Sequence, residues 1–348
     1  MRASRRRVGI ALLGCVAAAA PLPGQTPATL VRFLRQSIGL DSAQLAALER
    51  GTPVVKVLDT KNPRDVAVFG IITADVSRQT YVARLQDFPT SLRAPKRAGF
   101  GIFSDPATAA DVQALVVDQD DVSEVQDCHP NDCKIKLPAT EMKRLREEID
   151  WSAADPQAQV GAYARRRLVE YVTDYRTRGD TAMVVYDNRG NVRASSAFAA
   201  LLGESPYVYE YVPSFHEYLA TYPRRKLDGL SEVLFWSEDR LPRLKPILSV
   251  THLVVYAPPE LAGVTLVAGK QIYADHYFEA GLDLTTIIDR ATDGATPGIY
   301  LMLLRRTRFD DLPTGLFNIR GKVIGKLRDQ MRADLDREKA TAEQARQR

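Results

Sequence analysis

Cysteine is scarce in this chain, and none of the three is spaced for the usual cysteine chemistry. Cys-x-x-Cys is missing, which excludes a thioredoxin-type redox centre and covalent haem attachment. Cys128, His129 and Cys133 supply three metal ligands at most, and their spacing is unlike that of zinc modules, which need four. There is no Gly-x-Ser-x-Gly elbow and no His-Glu-x-x-His pair, and Gly190 and Gly203 build no phosphate-binding loop. Asp118-Gln119-Asp120-Asp121 lacks the glycine and closing glutamate of a calcium loop and reads as a helix cap or solvated turn. Internal repeats and long low-complexity segments are also missing. No catalytic residue, metal or cofactor is therefore expected.

Long apolar runs are lacking too. The longest candidate, residues 8–20, is too short to span a bilayer and is ended by Pro21. It follows Arg2, Arg5, Arg6 and Arg7, and that order is the layout of a secretory leader over residues 1–24. Leu12-Leu13-Gly14-Cys15 is a weaker fit to a lipoprotein signal, because Leu13 suits it poorly, and Ser4-Arg5-Arg6 is a weaker fit to a twin-arginine signal. The expected setting is periplasmic or secreted, with lipidation at Cys15 the lesser alternative. Those four arginines account for the whole formal charge of +4. The mature chain is near neutral, so nucleic acid is not an expected partner.

With the leader gone, Cys128 and Cys133 are a pair in an exported chain, where disulfides form and persist. The loop between them, His129-Pro130-Asn131-Asp132, is rich in turn formers that bring the ends into bridging range. A local structural disulfide is expected, worth about 2 kcal/mol by loop closure.

At 45% apolar and 26% charged, the remainder can build a sizeable core. Residues 25–52 read as two short helices. Residues 53–58 and 66–75 read as strands, the second apolar on both faces and hence well inside a sheet. Ser77 caps a helix with Tyr81, Val82, Leu85 and Phe88 inward. Between about 104 and 205 the texture is helical; one helix opens at Asp155-Pro156 and stops at Gly179. Strands return at 231–236, 246–257, 264–275 and 298–307, the middle two joined through residues 258–263 as an antiparallel pair. Tyr207, Tyr209 and Tyr211 alternate as on one sheet face. Arg165, Arg166 and Arg167 suggest an exposed helix face, with contact to anionic lipid left open. A long helix closes the chain over 313–335, and 337–348 reads as a polar tail. The fold class is α+β: an antiparallel sheet gripping a long C-terminal helix, with an additional helical region.

GIYLMLLRRTRFDDLPTGLFNIRGKVIGKLRDQMRADL resembles the last strand and closing helix of START-like (SRPBCC, helix-grip) proteins, and VAVFGIITADVSRQTYVARLQDF is similar to their opening strand and first helix. YVYEYVPSF and KQIYADHYFEAGL resemble stretches of exported bacterial proteins. The likeness covers the two ends of residues 66–335 and rests on apolar spacing; the stretch 104–205 departs from it as a helical insertion in a domain spanning 53–336. The resemblance implies a hydrophobic small molecule or lipid held between sheet and closing helix. Tyr300 and Met302 on the last strand and Ile319 and Val323 on the helix would then line the cavity. The plainer account of the same residues is core packing.

Polar content concentrates in the two paired strands and just beyond. His252 lies amid apolar residues, and Lys270, Tyr273, His276 and Glu279 follow in KQIYADHYFE. The hairpin sets His252 opposite the neighbourhood of Lys270, where either could hold a ligand headgroup. A second reading is an envelope enzyme, hydrolase- or cyclase-like, using His252 or His276 with Glu279. A third is an envelope interaction protein without a ligand, which calls for a large apolar surface patch.

Overall fold

A computed structural model describes residues 27–93, 97–240, 244–291, 297–312 and 319–345. The expected leader, including Cys15, lies outside the described residues, as do residues 313–318 at the expected start of the closing helix. Helices α1 (Ala28–Gln36) and α2 (Ser42–Glu49) precede strands β1 (Val54–Leu58) and β2 (Asp65–Ala74). Helix α3 (Arg78–Gln86), capped by Ser77 onto the Thr80 amide, and the short α4 (Phe88–Ser91) lead to β3 (Arg97–Ile102). A helical stretch follows: α5 (Gln119–Gln126), α6 (Ala139–Glu148), α7 (Pro156–Arg178), the ribbon β4 (Val185–Tyr186) and β5 (Val192–Arg193), then α8 (Ala194–Gly203), α9 (Pro206–Tyr211) and α10 (Pro213–Thr221). The chain ends in a meander, β6 (Ser231–Asp239), β7 (Ile247–Tyr256), β8 (Val264–Ala274), β9 (Phe278–Arg290) and β10 (Gly298–Phe309), and helix α11 (Ile319–Ala345).

Eight strands form one antiparallel sheet in the order β1-β2-β10-β9-β8-β7-β6-β3. The fold is α+β, with the C-terminal helix packed on β1 and β2. All ten residues of β2 are buried, because helices cover both faces of the sheet there. Side-chain alternation sorts the sheet into two cores. Ile299 and Leu301 of β10 pack with Val66, Val68 and Ile72 of β2 against Met331 and Leu335 of α11. Tyr300, Met302 and Leu304 point the other way, into the larger core under α1, α2 and α7–α10.

Two local readings change, and two strands are new. Residues 206–211 are helix α9, not strand: proline at its first helical position, with another opening α10 at Pro213, outweighs the period-two tyrosines. The tail expected beyond Asp336 continues α11 to Ala345; Ala342 is buried, and Glu338 accepts hydrogen bonds from Tyr81 (2.9 Å) and Arg84. Strands β3 and β9 were not legible, because glycines in one and charged residues in the other interrupt their apolar pattern. The arginine run lies on a partly exposed face of α7 and is also engaged: Arg165 donates to the Leu115 carbonyl (3.0 Å), Arg166 to Glu148 (2.6 Å), and Arg167 grips both oxygens of Glu141 at 2.9 Å.

Cys128 and Cys133 are disulfide-bonded, with Cα atoms 4.6 Å apart. Asn131 turns the loop at φ +66° and ties it to the ribbon: its amide donates to the Asp187 carbonyl (2.7 Å), and its side-chain oxygen accepts from the Gly190 amide (2.8 Å). No described helix is long and apolar enough to cross a membrane.

Candidate functional site

The β7–β8 pairing sets His252 directly opposite Lys270, both buried beneath the helical layer. Three tyrosines from α7 and the α10 end surround His252. The Tyr175 hydroxyl is 3.1 Å from Nδ1, the Tyr218 hydroxyl 3.5 Å from Nε2, and the Tyr222 ring centroid 4.5 Å from that of the imidazole. Nε2 also stands 3.0 Å from Glu232, whose carboxylate accepts a hydrogen bond from Tyr218. Burial pushes the His252 pKa below the ordinary histidine value, and the bond to Glu232 only partly offsets it. Burial works against the Glu232 charge as well, but the hydrogen bonds from His252 and Tyr218 prevail and hold its carboxyl low.

Lys270 pairs with Asp180, donates to the Leu219 carbonyl (3.2 Å), and lies over the Phe198 ring at 4.3 Å. Burial lowers its pKa. Both groups are thus fully engaged with protein. The expected partnership of a histidine with Glu279 is absent: Glu279 pairs with Arg64, His252 with Glu232, and His276 with Asp121.

The expected ligand lining does not gather on one face. Ile319 and Val323 belong to α11; Val323 packs into the core beneath that helix, whereas Ile319 is exposed. Tyr300 is fully buried on the opposite face, and Met302 faces that side as well. The reason is parity: even-numbered positions of β10 point away from the closing helix. On that far side lies an apolar cavity of about 240 Å³ between the sheet and helices α1, α9 and α10. Met302, Leu284 and Leu304 form its floor, Leu30, Val208 and Phe215 its roof. Phe33 meets Tyr207 and Tyr211 edge-on at 5.4 and 6.1 Å, and Tyr211 is 38% exposed, which places these rings at the open side. The roof residues on α9 escaped the sequence reading because their segment read as strand; Pro206 and Pro213, each opening a helix, were the available signal.

A second cavity, about 590 Å³, lies beneath α5, α6, α7 and the β4–β5 ribbon. Tyr273 lines it, with its hydroxyl 3.4 Å from the Lys136 carbonyl. Along one wall Arg167 clamps Glu141, and Tyr163 donates to the same carboxylate at 2.6 Å. At the other end Asp121 and Asp275 face the space, with His276 behind them. Nε2 of His276 is 3.0 Å from Asp121, and Lys245 donates to the other Asp121 oxygen at 3.0 Å. Burial drives the Asp275 pKa up to about 7. Burial opposes the His276 charge, but the bond to Asp121 and the nearby carboxylates outweigh it and raise its pKa.

No family model and no curated sequence matches this chain.

Proposed function

We propose that this protein binds an apolar small molecule, or one acyl chain of a lipid, in the cavity between the sheet and helices α1, α9 and α10. The observation that carries this is the lining: aliphatic and aromatic side chains on every wall, with threonine hydroxyls and the Tyr207 and Tyr211 rings as the polar content. An apolar cavity gains free energy by taking up an apolar guest. At about 240 Å³ it is smaller than the sites of drug-sized ligands, which selects a slender occupant. The ligand class is the one expected from the START-like resemblance, but its place moves to the face opposite the closing helix.

What supports the resemblance itself is strand order. An opening strand (β2), short helices, consecutive antiparallel strands that return β10 beside β2, and one long closing helix follow the sequence expected of a helix grip. The reading includes export to the periplasm or beyond, supported by the leader pattern and by a disulfide in a chain with one other cysteine.

The test is uptake of linear fatty acids of graded length, a fluorescent polyene acid among them, followed by fluorescence and calorimetry. One site per chain is expected. Val208→Trp, which fills the roof, should weaken uptake about tenfold or more, equivalent to at least about 1.4 kcal/mol, with an unchanged circular dichroism spectrum. Equal binding by the folded variant, or none by the parent, would remove the proposal.

A further inference from the structure

The Asp121–His276 pair could be dismissed as a buried histidine satisfied by a carboxylate. That account leaves out Asp275. Its carboxylate is brought to the same point, where it accepts from the Leu248 amide (2.9 Å) and hydrogen-bonds no cationic side chain among the described residues. One oxygen of each aspartate and one imidazole nitrogen lie within 4.8 Å of one another. Two carboxylates and a buried imidazole converge there, with one lysine as the adjoining cation.

We propose that Asp121, Asp275 and His276 form a binding site for a divalent transition cation of the zinc class. One imidazole nitrogen with two carboxylate oxygens suits zinc, cobalt or nickel better than the all-oxygen shells of calcium and magnesium. Ligand atoms about 2.0–2.2 Å from zinc stand roughly 3–3.5 Å apart, so the triangle closes with small side-chain rotations.

Two further observations bear on the site. The first is its support. Each aspartate is held by a group outside the triangle, Asp121 by Lys245 (3.0 Å) and Asp275 by the Leu248 amide, as outer-shell partners hold metal ligands. The backbone of the corner is fixed as well: the Asp275 amide donates to the Leu248 carbonyl (3.1 Å), and the Asp275 carbonyl accepts from the Lys136 amide (2.8 Å). Tyr277 completes the turn at φ +59°, with its hydroxyl accepting from the Lys245 amide at 3.0 Å. Asp121 from α5 and the neighbouring Asp275 and His276 from the β8–β9 turn are thus aimed at one point by a rigid frame. The second observation is the opening. Asp121 and Asp275 line the cavity of about 590 Å³, so the fourth coordination position faces free space beside Tyr273. Three protein ligands and an open position mark a reactive or ligand-accepting centre rather than a closed structural one. This site is separate from the apolar cavity and does not depend on its occupant.

The experiment is a Zn²⁺ titration of the purified, disulfide-bonded chain after removal of metal with a chelator. The imidazole resonances of its four histidines are followed by NMR. The His276 signals should shift and saturate at one equivalent, while those of His252, enclosed by tyrosines, stay in place. Asp275→Asn should weaken Zn²⁺ binding about tenfold or more. No imidazole shift in the parent, a shift at another histidine, or undiminished affinity in folded Asp275→Asn would overturn the site. Should the variant not fold, the parent titration decides alone.

Discussion

Lys270 and Asp180 form an ion pair with unequal burial: the lysine side chain is 1% exposed and the aspartate 25%. Removing the lysine leaves a carboxylate with access to water, whereas removing the carboxylate strands a cation among Phe198, Tyr175 and the sheet. Asp180→Asn should therefore destabilise the fold by about 3–5 kcal/mol and Lys270→Met by distinctly less, read from urea midpoints at constant m. Equal losses would mean that Lys270 is not held charged. His252 supplies a pH-dependent counterpart. Its folded pKa lies below the ordinary value of about 6.5, so the unfolded chain takes up the proton first as pH falls. Its contribution is complete above about pH 6.5 and is lost as pH drops through the folded pKa. The stability gap between parent and His252→Gln should shrink from pH 7.5 to pH 5; a gap that widens would reverse the assignment. At this scale the sequence was half legible. It paired His252 with Lys270 because hairpin register is local, but Glu232, Tyr175 and Asp121 reach their histidines from other elements and leave no spacing to read.

Among elements, α11 shows how little clearance its seat allows. Gly70 of β2 faces the helix, and a methyl group there would come within 2.8 Å of Leu335 Cδ1 and of Met331 Cγ. Gly70→Ala should cost about 1–3 kcal/mol through overpacking, measured by thermal unfolding, with the folded spectrum retained. A neutral substitution would show that the helix can lift off the sheet at small cost. Legibility of elements followed their chemistry. Strands rich in valine, isoleucine and leucine, such as β2, β7 and β10, declare themselves, as do helices with a capping aspartate and a terminal glycine, such as α7. Strand β9 does not, because Glu279, Asp283 and Asp289 face salt-bridge partners that only the assembled sheet supplies. The apolar cavity was hidden for the same reason: its walls join helices from two distant segments to four strands, and no single stretch carries its outline.

In the whole molecule, one sheet serves two cores, and each has its own task. The face under α11 is packed core; the face under the other helices holds both cavities and His252. Binding at either cavity, as proposed, would leave the closing helix in place; the long insertion between β3 and β6 supplies the ceiling of the larger cavity and shares that of the apolar one with α1. The order of the strands carries a consequence in time. Ile299 of β10 pairs with Ala74 of β2, 225 positions earlier in the chain. Until β10 arrives, β2 can pair only with β1 and offers an apolar ribbon along its other edge. Such closure is slow, because the loop entropy is lost before the contact rewards it. A nascent chain ending before Gly298 should accumulate as aggregate or as a chaperone-bound species, separable by sedimentation, and should become soluble once the last strand is included. The late strand acts as a clasp, and under the export proposed above it would stay open until the chain has reached the far side of the channel.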